Sequence, residues 1–554
     1  MKKNKIFKSP GRFYLFSGIC LFALVTGTLI WNHLKHKIVN KKLYNLVAVK
    51  SKGLYQLQYS DLHLDEALGN ITADHITLLA DSQVYQSLAD SGKAPDLLLS
   101  LTVAHLFISG VSTPKALLNK EIKAHAIKLV GAEIEILLPK SGKAKRPSSI
   151  NIFSKEFYEQ ILGNLKSIDV DSIILENGQV KIRYQNAGTI LYSASGLNIR
   201  LEHTTIDELT PFDSTHLFFS RQLSVNCRRF ESVTKKDDYH FQINDFVYQT
   251  NTNEMDLGSM AITPRLSETA FTQSNRFAKD RFDLTLGKIK IQNINITALN
   301  HQKVVVDQVE LNDPSLYIFR DISLPHDSVD RTHDFPQEVI KRLPMPLYIH
   351  QIQIRNGFIE YKEKNNKSDS SGRLTFYHIN AAFRQVTNMP IYIKRHNELQ
   401  FEFRGKFLNE SNLTVHMNML LNDTKGHFQL EAKLDSMDAL SLNPLLKPMA
   451  LAEIENGQIT GLQYSLSANN TFGQGNLLLT YQNLKLKLLK KSKNHINYQT
   501  RLLPTIAANV VIKKSNPLNG KIRLSQVEYT RDTRRSLFNF LWKSLLAGIK
   551  KTAL

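Results

Sequence analysis

The sequence predicts a mainly β chain, largely antiparallel with few short helices, that follows one N-terminal transmembrane helix. Three observations carry this: apolar residues recur at every second position, Asn-Gly dipeptides sit between such alternations, and one uncharged stretch of nineteen residues lies near the start.

The uncharged stretch is Phe13 to Trp31, FYLFSGICLFALVTGTLIW, which as a helix covers about 28 Å of hydrocarbon. Phe13, Tyr14, Phe16, Leu21, Phe22, Leu24, Ile30 and Trp31 are its anchor residues, with Tyr14 and Trp31 near the ends, where amphipathic rings favour the interface. Lys2, Lys3, Lys5, Lys8 and Arg12 precede it, so residues 1–12 read as a basic cytoplasmic tail. Lys35, Lys37, Lys41 and Lys42 on the other side weaken that orientation argument. A cleaved signal peptide is the rival reading, but it needs a shorter core and a small-residue exit, whereas this stretch leaves on Leu29, Ile30 and Trp31.

Period two then dominates. Tyr55, Leu57 and Tyr59, Ile127 and Leu129, Ile134 and Ile136, Val180, Ile182 and Tyr184, and Leu197, Ile199 and Leu201 alternate with polar residues. Phe282, Leu284, Leu286, Ile289, Ile291, Ile294 and Ile296 continue the pattern, as do Val304, Val306, Leu316, Ile318, Phe401, Phe403, Leu413, Val415, Met417 and Met419. Short helices are expected from Thr113-Pro114, from Ser154, and for one turn in DSMDALSLNPLLKP before Pro444 and Pro448 stop it. Asn177-Gly178, Asn356-Gly357 and Asn456-Gly457 each lie between two apolar alternations and are expected to make three type I′ hairpin turns. A second repeat pairs AHAIKLVGAEIEIL with QVELNDPSLYIF, each a strand, a brief break and a strand.

Charge is uneven. Of the total +20, residues 1–52 carry +11 and residues 481–554 carry +14, leaving −5 for 53–480. A mildly acidic body between basic ends argues against a groove that tracks a nucleic-acid backbone and favours ends that meet anionic membranes. The two cysteines, Cys20 and Cys227, make no disulfide framework, since the first lies in the apolar segment. Arg534 to Lys551 reads as an amphipathic helix, with Phe538, Leu541, Trp542, Leu545 and Ile549 on one face and Lys543 and Lys550 on the other. Two uses fit it, a membrane-contact helix and a core helix that closes the sheet end.

No motif marks an enzyme. GxxxxGK[ST], GxSxG and HExxH are absent, FGQGNL at 472–477 has Leu478 where a dinucleotide loop needs glycine, and His33 and His36 lie on a solvated basic stretch. No cofactor is expected.

KSKGLYQLQYSDLHLDEALGNITADHITLLAD at 50–81, HLFISGVSTPKALLNKEIKAHAIKLVGAEIEI at 105–136, Ser441 to Pro448, IENGQITGLQYSLSANNTFGQGNLLLTYQNLKLKLL at 454–489 and the closing RRSLFNFLWKSLLAGIKKTAL together resemble the AsmA-like family of bacterial envelope proteins, in the broad TamB-like and bridge-like lipid transfer group. The resemblance implies an elongated, curved β-groove whose apolar concave face holds acyl chains. It divides the chain into the tail 1–12, the membrane helix 13–31, an N-terminal region 32–150, a central groove 151–430, a C-terminal region 431–530 and a basic amphipathic helix 531–554. Val180, Ile182, Phe401, Phe403, Leu477 and Leu479 are the candidate groove residues. The expected role is a Gram-negative inner-membrane protein whose periplasmic body binds or conducts phospholipids toward the outer membrane. The alternatives are an assembly factor for outer-membrane proteins acting through an exposed sheet edge, and a structural envelope protein.

Overall fold

A computed structural model describes residues 47, 48 and 51–554, apart from 66, 93–97, 112–120, 139–165, 185–189, 208, 209, 211–214, 234–237, 367, 492–497 and 502–511. The expected membrane helix at 13–31 and the helices opening at Thr113 and Ser154 lie outside the described residues. Among those described, no helix is long and apolar enough to cross a membrane.

The strands are β1 (Tyr55–Asp65), β2 (Asn70–Ala80), β3 (Leu98–Ser109), β4 (Glu121–Val130), β5 (Glu133–Leu138), β6 (Ser167–Tyr184), β7 (Ile190–Ile206), β8 (Ser220–Val233), β9 (Tyr239–Gln249), β10 (Glu254–Pro264), β11 (Asp280–Leu286) and β12 (Ile289–Gln292). There follow β13 (Val304–Asn312), β14 (Ser315–Asp321), β15 (Leu347–Lys364), β16 (Gly372–Thr387), β17 (Glu398–Phe407), β18 (Ser411–Leu420), β19 (Phe428–Leu434), β20 (Met437–Asp438), β21 (Ala452–Ala468), β22 (Phe472–Lys491), β23 (Tyr498–Thr500) and β24 (Ser525–Thr530). The helices are short until the last: α1 (Ser82–Asp90), α2 (Glu268–Ser274), α3 (Ile296–Asn300), α4 (Pro336–Lys341), α5 (Pro390–Ile393), α6 (Asn443–Ala450) and α7 (Leu537–Ala553). The chain is thus mainly β, as the alternation predicts, and its pairing is mostly antiparallel.

It divides into two units, Met1–Ser259 with Gln292–Lys303, and Met260–Ile291 with Val304–Leu554. In the first, β1 to β3 run antiparallel, β3 pairs with both β4 and β5, and β6 lies parallel to both, followed by antiparallel β7, β8 and β9. In the second, β15 lies parallel to both β13 and β14, and antiparallel β16, β17, β18, β19, β21, β22 and β24 follow.

The three Asn-Gly pairs do not reverse the chain. Each lies inside one long strand, β6, β15 or β21, at a break in register, with φ of +50° at Asn177, +53° at Asn356 and +147° at Gly457. These are β-bulges, which share with the type I′ turn a need for positive φ. In β6 the bulge marks the change of parallel partner from β4 to β5, and in β15 from β13 to β14.

The hydrogen bonds at this change repeat between units. Gly131 N–H donates to Glu176 O at 2.9 Å and Gln179 N–H to Ala132 O at 2.8 Å, while Asp313 N–H donates to Arg355 O at 2.9 Å and Phe358 N–H to Pro314 O at 2.7 Å. Asn177 N–H donates to Asn198 Oδ1 at 2.9 Å, as Asn356 N–H does to Asn380 Oδ1 at 3.4 Å. The second repeat seen in sequence is therefore a repeated three-strand frame. At Gly178 a Cβ would come 2.9 Å from Leu175 Cδ2 and 3.3 Å from Leu197 O, so a larger residue there requires Leu175 to shift.

Two further expectations change. Ile294 and Ile296 do not extend a strand, because Asn295 Oδ1 accepts from Ala298 N–H and caps α3. Pro444 opens α6 rather than stopping it, at a position where its missing N–H costs nothing, and α6 continues through Pro448 to Ala450.

Candidate functional site

Register places the apolar side chains of the second unit in rows across the strands. One row runs Leu311, Ile354, Ala381, Phe403, Val415, Ala432, Tyr464 and Leu477; the next runs Val309, Ile352, Phe383, Phe401, Met417, Leu430 and Leu466. Phe403 and Leu477, chosen from sequence as groove residues, therefore share one row, with Phe401 beside them.

Burial changes along these rows. Leu477 is fully buried, and a Cβ on Gly548 of α7 would stand only 2.8 Å from its Cδ2, so Leu477 packs against α7. Leu479 is buried in the same cluster, with Leu399, Met417, Met419, Phe428, Phe335 of the segment leading into α4, and Phe540 of α7. Phe401, Phe403, Phe383, Val415 and Ile352 are only half-buried. Their rings meet each other: Phe383 and Phe401 at 4.6 Å between centroids, and Phe376 edge-on to Phe403 at 6.2 Å.

In the first unit, Val180 and Ile182 are buried at 1% and 6% exposure. They belong to a face of β6 that also includes Ile168, Val170, Ile173 and Leu175, all buried. The repeated frame matches these six to Leu347, Ile349, Ile352, Ile354, Ile359 and Tyr361 of β15, every one half-buried.

A charged row that the sequence did not single out borders the half-buried face. Asp280 lies opposite Arg320, and Arg320 opposite Glu363. Arg320 Nη1 donates to Asp280 Oδ1 at 2.9 Å, and the Tyr361 hydroxyl donates to Glu363 Oε2 at 2.5 Å. Burial, which penalises the charged form, raises the Glu363 carboxyl above the ordinary range against the pull of Tyr361 and Arg320. It raises the Tyr361 hydroxyl too, helped by the Glu363 charge. Period-two spacing, from Phe282 to Asp280, from Ile318 to Arg320 and from Ile359 through Tyr361 to Glu363, is the sequence signal that reaches this row.

The closing helix packs on the sheet. Phe540, Ser544, Gly548 and Thr552 of α7 are buried, with Ser544 Oγ 2.8 Å from Tyr464 Oη, and Leu541, Leu545 and Ile549 border the core. Of the residues assigned from sequence to a membrane-contact face, Phe538, Lys543 and Lys550 are exposed and Trp542 is half-buried. The small residues let helix and sheet approach closely, a face that hydropathy does not reveal. Arg531, the first residue of the basic helix expected over 531–554, is buried over the Phe335 ring at 4.3 Å and donates to the carbonyls of Arg331, Thr332, Asn470 and Arg535. The anchor residues Phe13 to Trp31 lie outside the described residues.

Among the described residues, no group of three or more His, Cys, Asp or Glu is arranged to hold a metal ion. No protein-family model matches the chain, and no curated protein matches it. Among solved structures, the crystal structure of the sex pheromone staph-cAM373 precursor matches at 10% identity over 63% of this chain and 88% of that one, with a TM-score of 0.12. A TM-score this low carries no argument about fold or role.

Proposed function

We propose that the half-buried apolar face of the second unit receives acyl chains, and that the protein is an inner-membrane-anchored periplasmic β-groove that binds or conducts phospholipids toward the outer membrane. The observation that carries this reading is the state of Phe376, Phe383, Phe401, Phe403 and Val415: a contiguous aromatic and aliphatic surface that the fold leaves half open beside a fully packed core. Lipid tails are stabilised by leaving water for such a surface, with no chemical step and no cofactor. Headgroups stay in water, and the Asp280–Arg320–Glu363 row supplies charge at the border. The proposal includes an elongated, curved sheet and a membrane helix at Phe13–Trp31.

The test is a photo-crosslinking residue at Phe403 in the full chain expressed in a Gram-negative cell. Phospholipid is expected on the crosslinked product by mass spectrometry. It should disappear in Phe401→Asp, which on a half-buried face lowers the melting temperature without preventing folding. A crosslink only to protein, or lipid undiminished by Phe401→Asp, would overturn the reading.

A further inference from the structure

The loop that precedes β24 carries an exposed apolar tip. Leu518 and Lys521 bridge across Asn519 and Gly520, whose φ values of +52° and +75° are those of a type I′ turn. Arg523 turns inward, donating from Nε to Thr552 O at 2.9 Å and from Nη2 to Ser515 O at 2.7 Å, so its neighbours point outward. Ile522 and Leu524 are each 63% exposed, Leu518 39%, and Leu554 at the end of α7 55%. The Arg523 bond, Lys513 N–H to Ala553 O at 2.8 Å and Lys513 Nζ to Leu554 O join the tip to that helix end, and Ser525 Oγ lies 2.7 Å from Thr552 Oγ1 at the start of β24. The apolar side chains thus stand on a built support.

Their surroundings are basic. Residues 512–527 and 548–554 contain Lys513, Lys514, Lys521, Arg523, Lys550 and Lys551 and no Asp or Glu. Exposed aliphatic side chains beside the exposed Lys514, Lys521 and Lys550 match the two components of an anionic bilayer surface, acyl boundary and headgroup charge. We infer that this tip, rather than the apolar stripe of α7, docks on an anionic lipid bilayer, inserting Leu518, Ile522 and Leu524 while the lysines meet lipid phosphates. The stripe is half used already, with Leu541, Leu545 and Ile549 bordering the core.

The full chain, with Cys20 and Cys227 replaced by Ala, is labelled at Ile522→Cys with an environment-sensitive fluorophore and kept in solution by an amphipathic polymer. The label reports contact at the tip itself, whatever other segment touches the vesicle. Vesicles with about one third anionic phospholipid should shift its emission to the blue, and brominated acyl chains should quench it. Lys514→Glu with Lys521→Glu should weaken the response about tenfold, and rising salt should weaken it further. A label at Gln429→Cys serves as a control that should stay silent. No shift on anionic vesicles, or an equal shift on purely zwitterionic ones, would overturn the inference, and would do so even if lipid still crosslinks at Phe403.

Discussion

The first unit seals the apolar face of its long bulged strand, whereas the second leaves the matching face half open. Ile168, Val170, Ile173, Leu175, Val180 and Ile182 on β6 are buried, and their counterparts on β15, with the same spacing and the same bulge, are half-buried. Both sets are apolar apart from the Tyr361 hydroxyl. The difference therefore lies in what covers the face, and the backbone frame alone does not decide whether an apolar sheet face becomes core or remains available.

The largest test of this contrast introduces a charge at matched positions. Val180→Asp places a carboxylate in a sealed interior and should cost on the order of 4 kcal/mol, unfolding the first unit, whereas Ile359→Asp should cost about half that. Thermal melts that fall equally for both would break the comparison. A gradient should also appear along one strand. Leu399→Ala, fully buried, should cost about 3 kcal/mol in denaturant unfolding, and Phe401→Ala, two residues on, about 1 kcal/mol. Equal costs would mean that the second unit's face is as closed as the first's.

The shared frame makes a symmetrical prediction. Asn177→Val and Asn356→Val force a β-branched residue to positive φ and should each cost about 1 to 2 kcal/mol, while Asn→Gly at either site should be nearly neutral. A cost at one site alone would show that only one bulge is held by its neighbours. The smallest effect concerns Glu363. Its folded-state pKa is raised, so the folded protein binds the proton more tightly than the unfolded chain, and stability falls as pH rises from the ordinary carboxylate range through the raised value. Glu363→Gln should flatten that slope and raise the melting temperature modestly at neutral pH. An unchanged pH dependence would place the effect elsewhere.

Strands were legible in the sequence because alternation is a local property: Val180, Ile182, Phe401 and Phe403 all share faces with their predicted neighbours. The Asn-Gly pairs were legible as sites of positive φ, but reversal and bulge make the same local demand. What separates them is distant, the jog at Gly131 or Asp313 that supplies a second parallel partner. The openness of the candidate face was not legible either. Leu477 and Phe403 are equally apolar and share a row, yet one lies under α7 and the other does not. On α7 itself the stripe of large residues was visible, while Ser544, Gly548 and Thr552 were invisible because their contribution is small size.

The partner switch within β6 and β15 also bears on the order of assembly. The antiparallel return to β7 or β16 joins neighbours in sequence, whereas the parallel ladder sets Glu121 against Ser167 and Val304 against Leu347, contacts that wait for a long crossover to close. Each hairpin should therefore form first and present one unpaired edge, with its bulge already in place. That edge would then select the two jogged strands together, because either one alone leaves half of its amide groups without partners.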